Sequence, residues 1–368
     1  MKRFSAWFCS ILLVLSLQTG YAVEEEILST DPSFTLRSVV MLPGDQVILG
    51  GHTNDGAIIY RYDLDQKTVR ELASQTDEAM VGRAFYDMSR DEETGSLVGL
   101  LYGGTGNAQE WTSTLVVIAD DGLTPVDTDR EQAFAVCARD HRIIYSYISK
   151  GADGYGAGIK CVTESRESVW EIEIGKWVQY EKIIPYGAGV LCMGNAYRDH
   201  DSSPQGVLTA IDADGTILWS YTTEDDVEYV DCAILTDDSV VVVGNTKNPD
   251  EPEYNYMACF DPHGLKWEER KEFGSGFLLS RAVCAVDDRI LCVCSRRPQG
   301  VKLNEFWLET YRPDGTFLSE EKIALEHMQL VRKFTFSLYH DSICLFILGN
   351  SSEENRWDNQ MSAWIIIP

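Results

Sequence analysis

Short apolar runs, each broken by a tight polar turn, recur along this chain at a nearly constant interval. VDCAILTDDSVVVVGNT (230–246) is the clearest copy: an apolar run, a turn at Asp237-Asp238, and a second apolar run. The same plan reappears in RAVCAVDDRILCVCS (281–295), RKFTFSLYHDSICLFILGN (332–350), EKIIPYGAGVLCMGN (181–195) and AFAVCARDHRIIYSYIS (133–149). RSVVMLPGDQVILGGHT (37–53) follows it too, and AFYDMSRDEETGSLVGLLYGG (84–104) more loosely. Runs of this length bounded by Gly, Asp or His predict strand, turn, strand. The turn centres fall near residues 44, 93, 141, 188, 237, 288 and 341, giving seven units 47 to 53 residues apart.

A second hairpin follows within most units. VLTAIDADGTILWSYT (207–222) matches YMACFDPHGLKWEERK (256–271), WLETYRPDGTFLSEEK (307–322) and LVVIADDGLTPVDT (115–128). IIYRYDLDQKTVREL (58–72) and IKCVTESRESVWEIE (159–173) are weaker copies. Asp-Gly and its substitutes suit these corners because tight hairpin turns need positive φ. Four strands per unit at this period predict an all-β fold, a seven-bladed β-propeller of four-stranded blades. The expected blades are 35–81, 82–130, 131–177, 178–225, 226–274, 275–327 and 328–368. MSAWIIIP (361–368) supplies only a third strand to the last blade, so a strand near 24–30 is expected to complete it and cover its edge.

Trp170, Trp219 and Trp267 recur at spacings of 49 and 48, each just after the turn of a second hairpin. This D-x-x-G-x-x-x-W style of repeat resembles the PQQ-like class of bacterial exported propellers. That resemblance implies the propeller fold, and a class holding both quinone enzymes and scaffold proteins without cofactor.

The first residues change the picture of where the protein works. Lys2 and Arg3 precede an apolar run, Phe4 to Leu17, and Gly20 and Ala22 sit at −3 and −1 of a cleavage point before Val23. Residues 1–22 are thus expected to be a signal peptide and 23–368 one secreted or envelope-exterior domain. No other apolar run reaches membrane-spanning length. A formal charge of −27 disfavours nucleic acid and anionic lipid as partners. Nine of the ten cysteines lie beyond the leader. Most sit in strand-like runs, where a thiol acts as a small hydrophobe. Cys284 and Cys292 are the best candidates for a bridge, across a hairpin whose register is open.

Asp212 and Asp214 invite a calcium reading, but Thr216-Ile217-Leu218 continues as strand and leaves too few oxygens for such a loop. Function is better sought in the long connections between second and third strands: 102–113, 149–158, 195–206, 245–255, 295–306 and 350–360. Those connections carry the candidate binding residues. Arg198 and His200 stand in the densest titratable run, and Arg296 and Arg297 are suited to a carboxylate or phosphate. Trp111, Tyr155, Tyr254 and Trp357 are suited to sugar or protein contacts. No catalytic motif, metal set or cofactor fingerprint is present in the linear sequence. The expectation is a monomeric, non-catalytic binding or scaffold module for a protein or glycan. The alternative is a propeller-fold enzyme (glycoside hydrolase, lyase or quinone-dependent dehydrogenase) with its site in the central channel.

Overall fold

The computed structural model describes residues 22–28 and most of 34–367. It leaves out 74–82, 105–111, 198–202, 247–253, 299–303, 326–329, 351–358 and several shorter turn segments. The described residues form seven antiparallel four-stranded sheets. The expected seven-bladed ring takes a corrected form. Six blades are built from four consecutive strands, and the seventh sheet is shared between the two ends of the chain. There Ala22–Leu28 pairs with Asn359–Ile367 in unbroken register, from Ala22 opposite Ile367 to Leu28 opposite Met361. This strand begins two residues earlier than the 24–30 read from the sequence.

At six of the seven junctions the first strand of a sheet packs on the first strand of the next; at the remaining one Val227–Ile234 packs on the second and third strands of the fourth blade, Gly189–Ala196 and Gln205–Ile211. Leu330–Tyr339 touches both Gly276–Val286 and Thr35–Leu42, so the seventh sheet closes the ring. Between neighbouring sheets lie seven apolar clusters, one per junction. Leu191, Leu208, Tyr229 and Val242 join the fourth and fifth blades, and Phe346 of the seventh sheet enters the cluster of the first. The second strands are nearly all buried because both faces of a central strand meet a neighbour; Val240–Thr246 is buried at every position. The fourth strands are mostly exposed at their turn ends, as in Phe317–Ile323. No helix among the described residues is long and apolar enough to cross a membrane.

The eight described cysteines beyond the leader are all buried and unbridged. In the hairpin expected to carry a bridge, Cys284 faces Leu291 while Cys292 faces Val283. An offset of one residue sends the two thiols to opposite faces of the sheet. Cys284 packs toward the seventh sheet and Cys292 toward the fifth blade. Burial pushes the Cys137 thiol up to about 12 and that of Cys259 to about 11, as expected of thiols acting as hydrophobes.

The segment 212–216 forms the corner of its hairpin. Asp212 Oδ1 accepts from the backbone N–H of Asp214 at 2.9 Å and of Thr216 at 2.7 Å. Gly215 takes φ of 88° there. The segment 149–158, expected as a long connection, is instead paired strand: Ser149 faces Gly156 and Gly151 faces Gly154. Its glycines make room for a ring, since a Cβ on Gly158 would meet the Tyr147 hydroxyl at 2.4 Å.

Candidate functional site

All seven innermost strands depart from regular pairing near their N-terminal ends. The extra residue is Arg37, Tyr86, Glu181, Val230 and Arg281 in blades one, two, four, five and six, and Arg332 in the closing sheet. In the third blade the irregularity spans Phe134 and Ala135. A bulge adds twist and re-aims the side chain it carries. The burial pattern agrees: Leu36 and Ser38 are buried while Arg37 between them is exposed, and Glu181 is likewise exposed beside buried Tyr180. The bulges lie at the end of the ring from which the second-to-third connections depart. Four of them, Arg37, Glu181, Val230 and Arg281, line the channel there.

Below this mouth the channel encloses about 850 Å³, with Arg37, Glu181, Val230 and Arg281 among its lining residues. In blades one, two, four and five the residue after the bulge ties its blade to the next. Met88 N donates to Ser38 Oγ at 3.0 Å, and Val136 N donates to Asp87 Oδ2 at 3.0 Å. Val283 N donates to Asp231 Oδ2 at 2.8 Å. Lys182 pairs with Asp231 and donates to the Cys232 carbonyl at 2.9 Å. Burial works against the Lys182 charge, but the Asp231 carboxylate outweighs it and raises the ammonium above its usual value. The bulge level is in this way free to vary, while the level beneath holds the ring.

The mouth is chemically uneven. On one side the Arg37 guanidinium lies 5.8 Å from the centre of the Tyr86 ring. Tyr86 meets Tyr102 edge-on at 5.5 Å and Phe134 at 6.3 Å. Arg281 Nε donates to Ser295 Oγ at 2.9 Å, which orients that guanidinium. Across the ring Glu181 accepts from Gln179 Nε2 at 3.2 Å. Its carboxylate meets channel water yet is walled by protein, and this enclosure, with the Glu228 charge second, pushes it up to about 7. None of these six was singled out from the sequence. The only linear signal of the bulge residues is recurrence at intervals of 49 to 51 residues, or 95 where the third blade intervenes, and it is hidden because the residue types differ.

The residues that were singled out are placed differently. Trp111, Arg198, His200 and Trp357 lie outside the described residues. Tyr155 is in the strand Gly154–Thr163, opposite Lys150. Tyr254 is half-buried, its N–H donating to Thr246 Oγ1 at 2.8 Å. Arg297 is half-buried on the second strand of the sixth blade, opposite Phe277. Arg296 does hold carboxylates, but the protein's own: it pairs with buried Glu309 at 2.5 Å and with Glu320. Its guanidinium also lies 4.6 Å from the Trp307 ring. Arg296 and Arg297 are thus brought to one strand, but not together with Tyr254 or Tyr155 in a common site.

No protein-family model and no curated protein matches the chain. Solved structures resemble it in fold. A polysaccharide lyase, the PL25 ulvan lyase, superposes with a TM-score of 0.58 at 9% identity over 94% of each chain. Polysaccharide lyase Uly1 does so with a TM-score of 0.56 at 8% identity, covering 94% of this chain and 98% of its own. The β-propeller domain of the Trilobed protease from Pyrococcus furiosus gives 0.52 at 9% identity, covering 90% and 94%. At such identities the likeness is one of propeller fold alone, and the finer resemblance to PQQ-like repeats is not carried by it.

Proposed function

We propose that this chain is an exported, non-catalytic binding module that takes a protein or glycan ligand at the bulge-lined mouth of its channel. The observation that carries the reading is the recurrence of a bulge at one level in all seven inner strands. A ring whose only task was structural would gain nothing from varying the chemistry at that level, whereas the level beneath keeps the junctions intact. Arg37, Glu181, Val230 and Arg281 are presented on strands, which position side chains more firmly than loops do. Export rests on the leader sequence, and the absence of a linear catalytic motif favours binding over turnover. The test is a screen of glycans and candidate proteins against wild type and an Arg281→Gln, Glu181→Gln double variant. Ligands retained at full affinity by the variant would place recognition elsewhere, including the connections 195–206 and 350–360.

One observation favours the enzymatic alternative. A carboxyl held near neutrality in a channel, as Glu181 is, is suited to proton transfer. Turnover of a chromogenic glycoside panel, lost in Glu181→Gln with binding intact, would establish that reading instead.

A further inference from the structure

Of the seven described strands that end their sheets on the outside of the ring, Ile217–Thr222 in the fourth blade is the one without a charged residue. Each of the other six carries at least two. An edge strand presents unpaired N–H and C=O groups, and charged side chains are the usual guard against its pairing with another chain. Ile217–Thr222 lacks that guard and is open. Ile217, Leu218, Ser220 and Thr222 are exposed, and Leu218, at 57%, is the most exposed large hydrophobic residue among those described. Leu218 is the extra residue of a bulge, since Ala210 faces Trp219 while Ile211 faces Ile217. The outer strands on either side add Val169 and Leu265, each 41% exposed, just past their own corners. Thr223 N donates inward to Gly206 O at 3.0 Å. Inward and outward residues alternate in an antiparallel pair, so Ser220 and Thr222 turn their backbone N–H and C=O away from the sheet.

We infer that this edge joins two copies of the chain, strand to antiparallel strand, in a two-fold dimer. Charge decides the occupant. Two chains of −27 each repel unless they meet where neither is charged, and this is the one described outer strand that allows it. A basic partner would gain more from the edges that carry carboxylates, such as Phe317–Ile323 with Glu320 and Glu321. The strand is also self-complementary. With the two-fold axis at Ser220, the outward groups of the two Ser220 residues form a hydrogen-bonded pair, as adjacent antiparallel strands require. Leu218 of each copy then lies opposite Thr222 of the other on one face, and Trp219 opposite Tyr221 on the other face. An edge of six residues buries less than a standard interface, so the dimer dissociates in the micromolar range. This departs from the monomer expected from the sequence. The edge is three strands out from the channel, so the inference stands apart from the binding reading above.

The experiment is sedimentation velocity of the protein from about 1 to about 200 µM, a range that spans such an equilibrium. Hydrogen exchange read by mass spectrometry accompanies it at the two ends of that range. Leu218→Lys and Thr222→Lys place charge on the edge. Ser319→Lys places the same charge at an exposed position of the sixth blade's outer strand, which is already charged. Melting temperatures are checked for all three. Wild type and Ser319→Lys should show a monomer–dimer equilibrium, weakened at least about tenfold in both Leu218→Lys and Thr222→Lys. Lysine lowers the net charge of an acidic chain, so weaker association in those two variants cannot arise from general repulsion. Exchange at Ile217–Thr222 should slow at the higher concentration in wild type as the outward amides are covered. A wild type that stays monomeric throughout would overturn the inference. So would a dimer that all three variants keep, or one that leaves exchange at Ile217–Thr222 unchanged, since the copies would then meet elsewhere.

Discussion

Trp170 donates its indole N–H to the carbonyl of Ala213 at 3.1 Å and lies against Gly215, one blade onward in the ring. Trp267 repeats the arrangement on the following hairpin but one, donating to the Pro313 carbonyl at 2.9 Å and covering Gly315. The glycine serves two needs at once. It supplies the positive φ of the corner, and it leaves the flat space that the neighbour's ring fills. A Cβ on Gly215 would meet Trp170 Cγ at 2.7 Å. Trp219 packs against the cluster joining the fourth and fifth blades and meets Tyr186 edge-on at 5.9 Å.

Trp170→Phe keeps most of the ring and loses the hydrogen bond, so it should cost about 1 kcal/mol. Trp170→Ala also loses the packing and should cost about 3 kcal/mol. Gly215→Ala should destabilise by more than 1 kcal/mol through both strain and the clash. Urea unfolding midpoints of the three variants check the order. A Gly215→Ala protein as stable as wild type would show that the ring can yield.

Glu309 is fully buried and accepts from Lys271 of the fifth blade at 2.8 Å, from Arg296, and from the Tyr311 hydroxyl. Burial pushes this carboxyl up, but the bonds from Lys271, Tyr311 and Arg296 overcome it and hold it below the ordinary glutamate value. A group depressed in the folded state contributes stability that is complete above its unfolded value and is lost as pH falls through the folded one. Glu309→Gln should therefore cost about 3 kcal/mol at neutral pH, by leaving two cations poorly matched. The gap from wild type should narrow steadily in melting curves taken below about pH 4.

Glu181 has the opposite sign. Its carboxyl is raised to about 7 in the folded protein. The folded state then holds a proton that the unfolded chain releases from about pH 4.3 upward, so this group lowers stability as pH rises from there to 7. Glu181→Gln should melt higher than wild type at pH 8 and equal to it at pH 4. A carbon-detected NMR titration of the side-chain carboxyl reads the value directly, and a midpoint near 4 would contradict this account.

Asp231 accepts from Val283 N and Cys232 N and pairs with Lys182, joining the fourth, fifth and sixth blades. Asp231→Ala removes the acceptor and leaves the ammonium without its carboxylate, at a cost of about 3 kcal/mol. Adding Lys182→Met should restore part of that loss. Two losses that simply add would show the pair to be uncoupled.

The eight described thiols should be silent toward a thiol reagent until the protein unfolds, given their burial. Quantitative labelling in native and denaturing buffer measures this. Rapid native labelling of Cys284 or Cys292 would contradict their placement in the blade junctions.

The hairpins were legible in the sequence because strand alternation and Asp-Gly corners are local. VVVV at 240–243 and ADG at 213–215 announce a buried strand and a turn with no knowledge of what lies beside them. The mouth was not legible, because a bulge is a property of two strands: Glu181 is extra only relative to the pairing of Tyr180 with Gly194 and Lys182 with Met193. The same dependence on register separated Cys284 from Cys292 and turned Arg296 inward to Glu309. Glycines at 154, 156 and 158 read as a loop for a related reason: the ring of Tyr147 that requires the last of them comes from the paired strand.

The strand Ala22–Leu28 has a consequence for the order of folding. Its partner, Asn359–Ile367, follows all six other blades in the sequence, so the two strands can meet only after those blades have been made. During elongation, six blades can form in succession, each resting on its predecessor, while the first and sixth keep one unmatched flank apiece. Contacts between such distant segments form slowly, and open flanks are where nascent chains associate wrongly. Once the last sheet is in place no flank remains, and the opening rate should then depend more on this one seam than on any junction between consecutive blades.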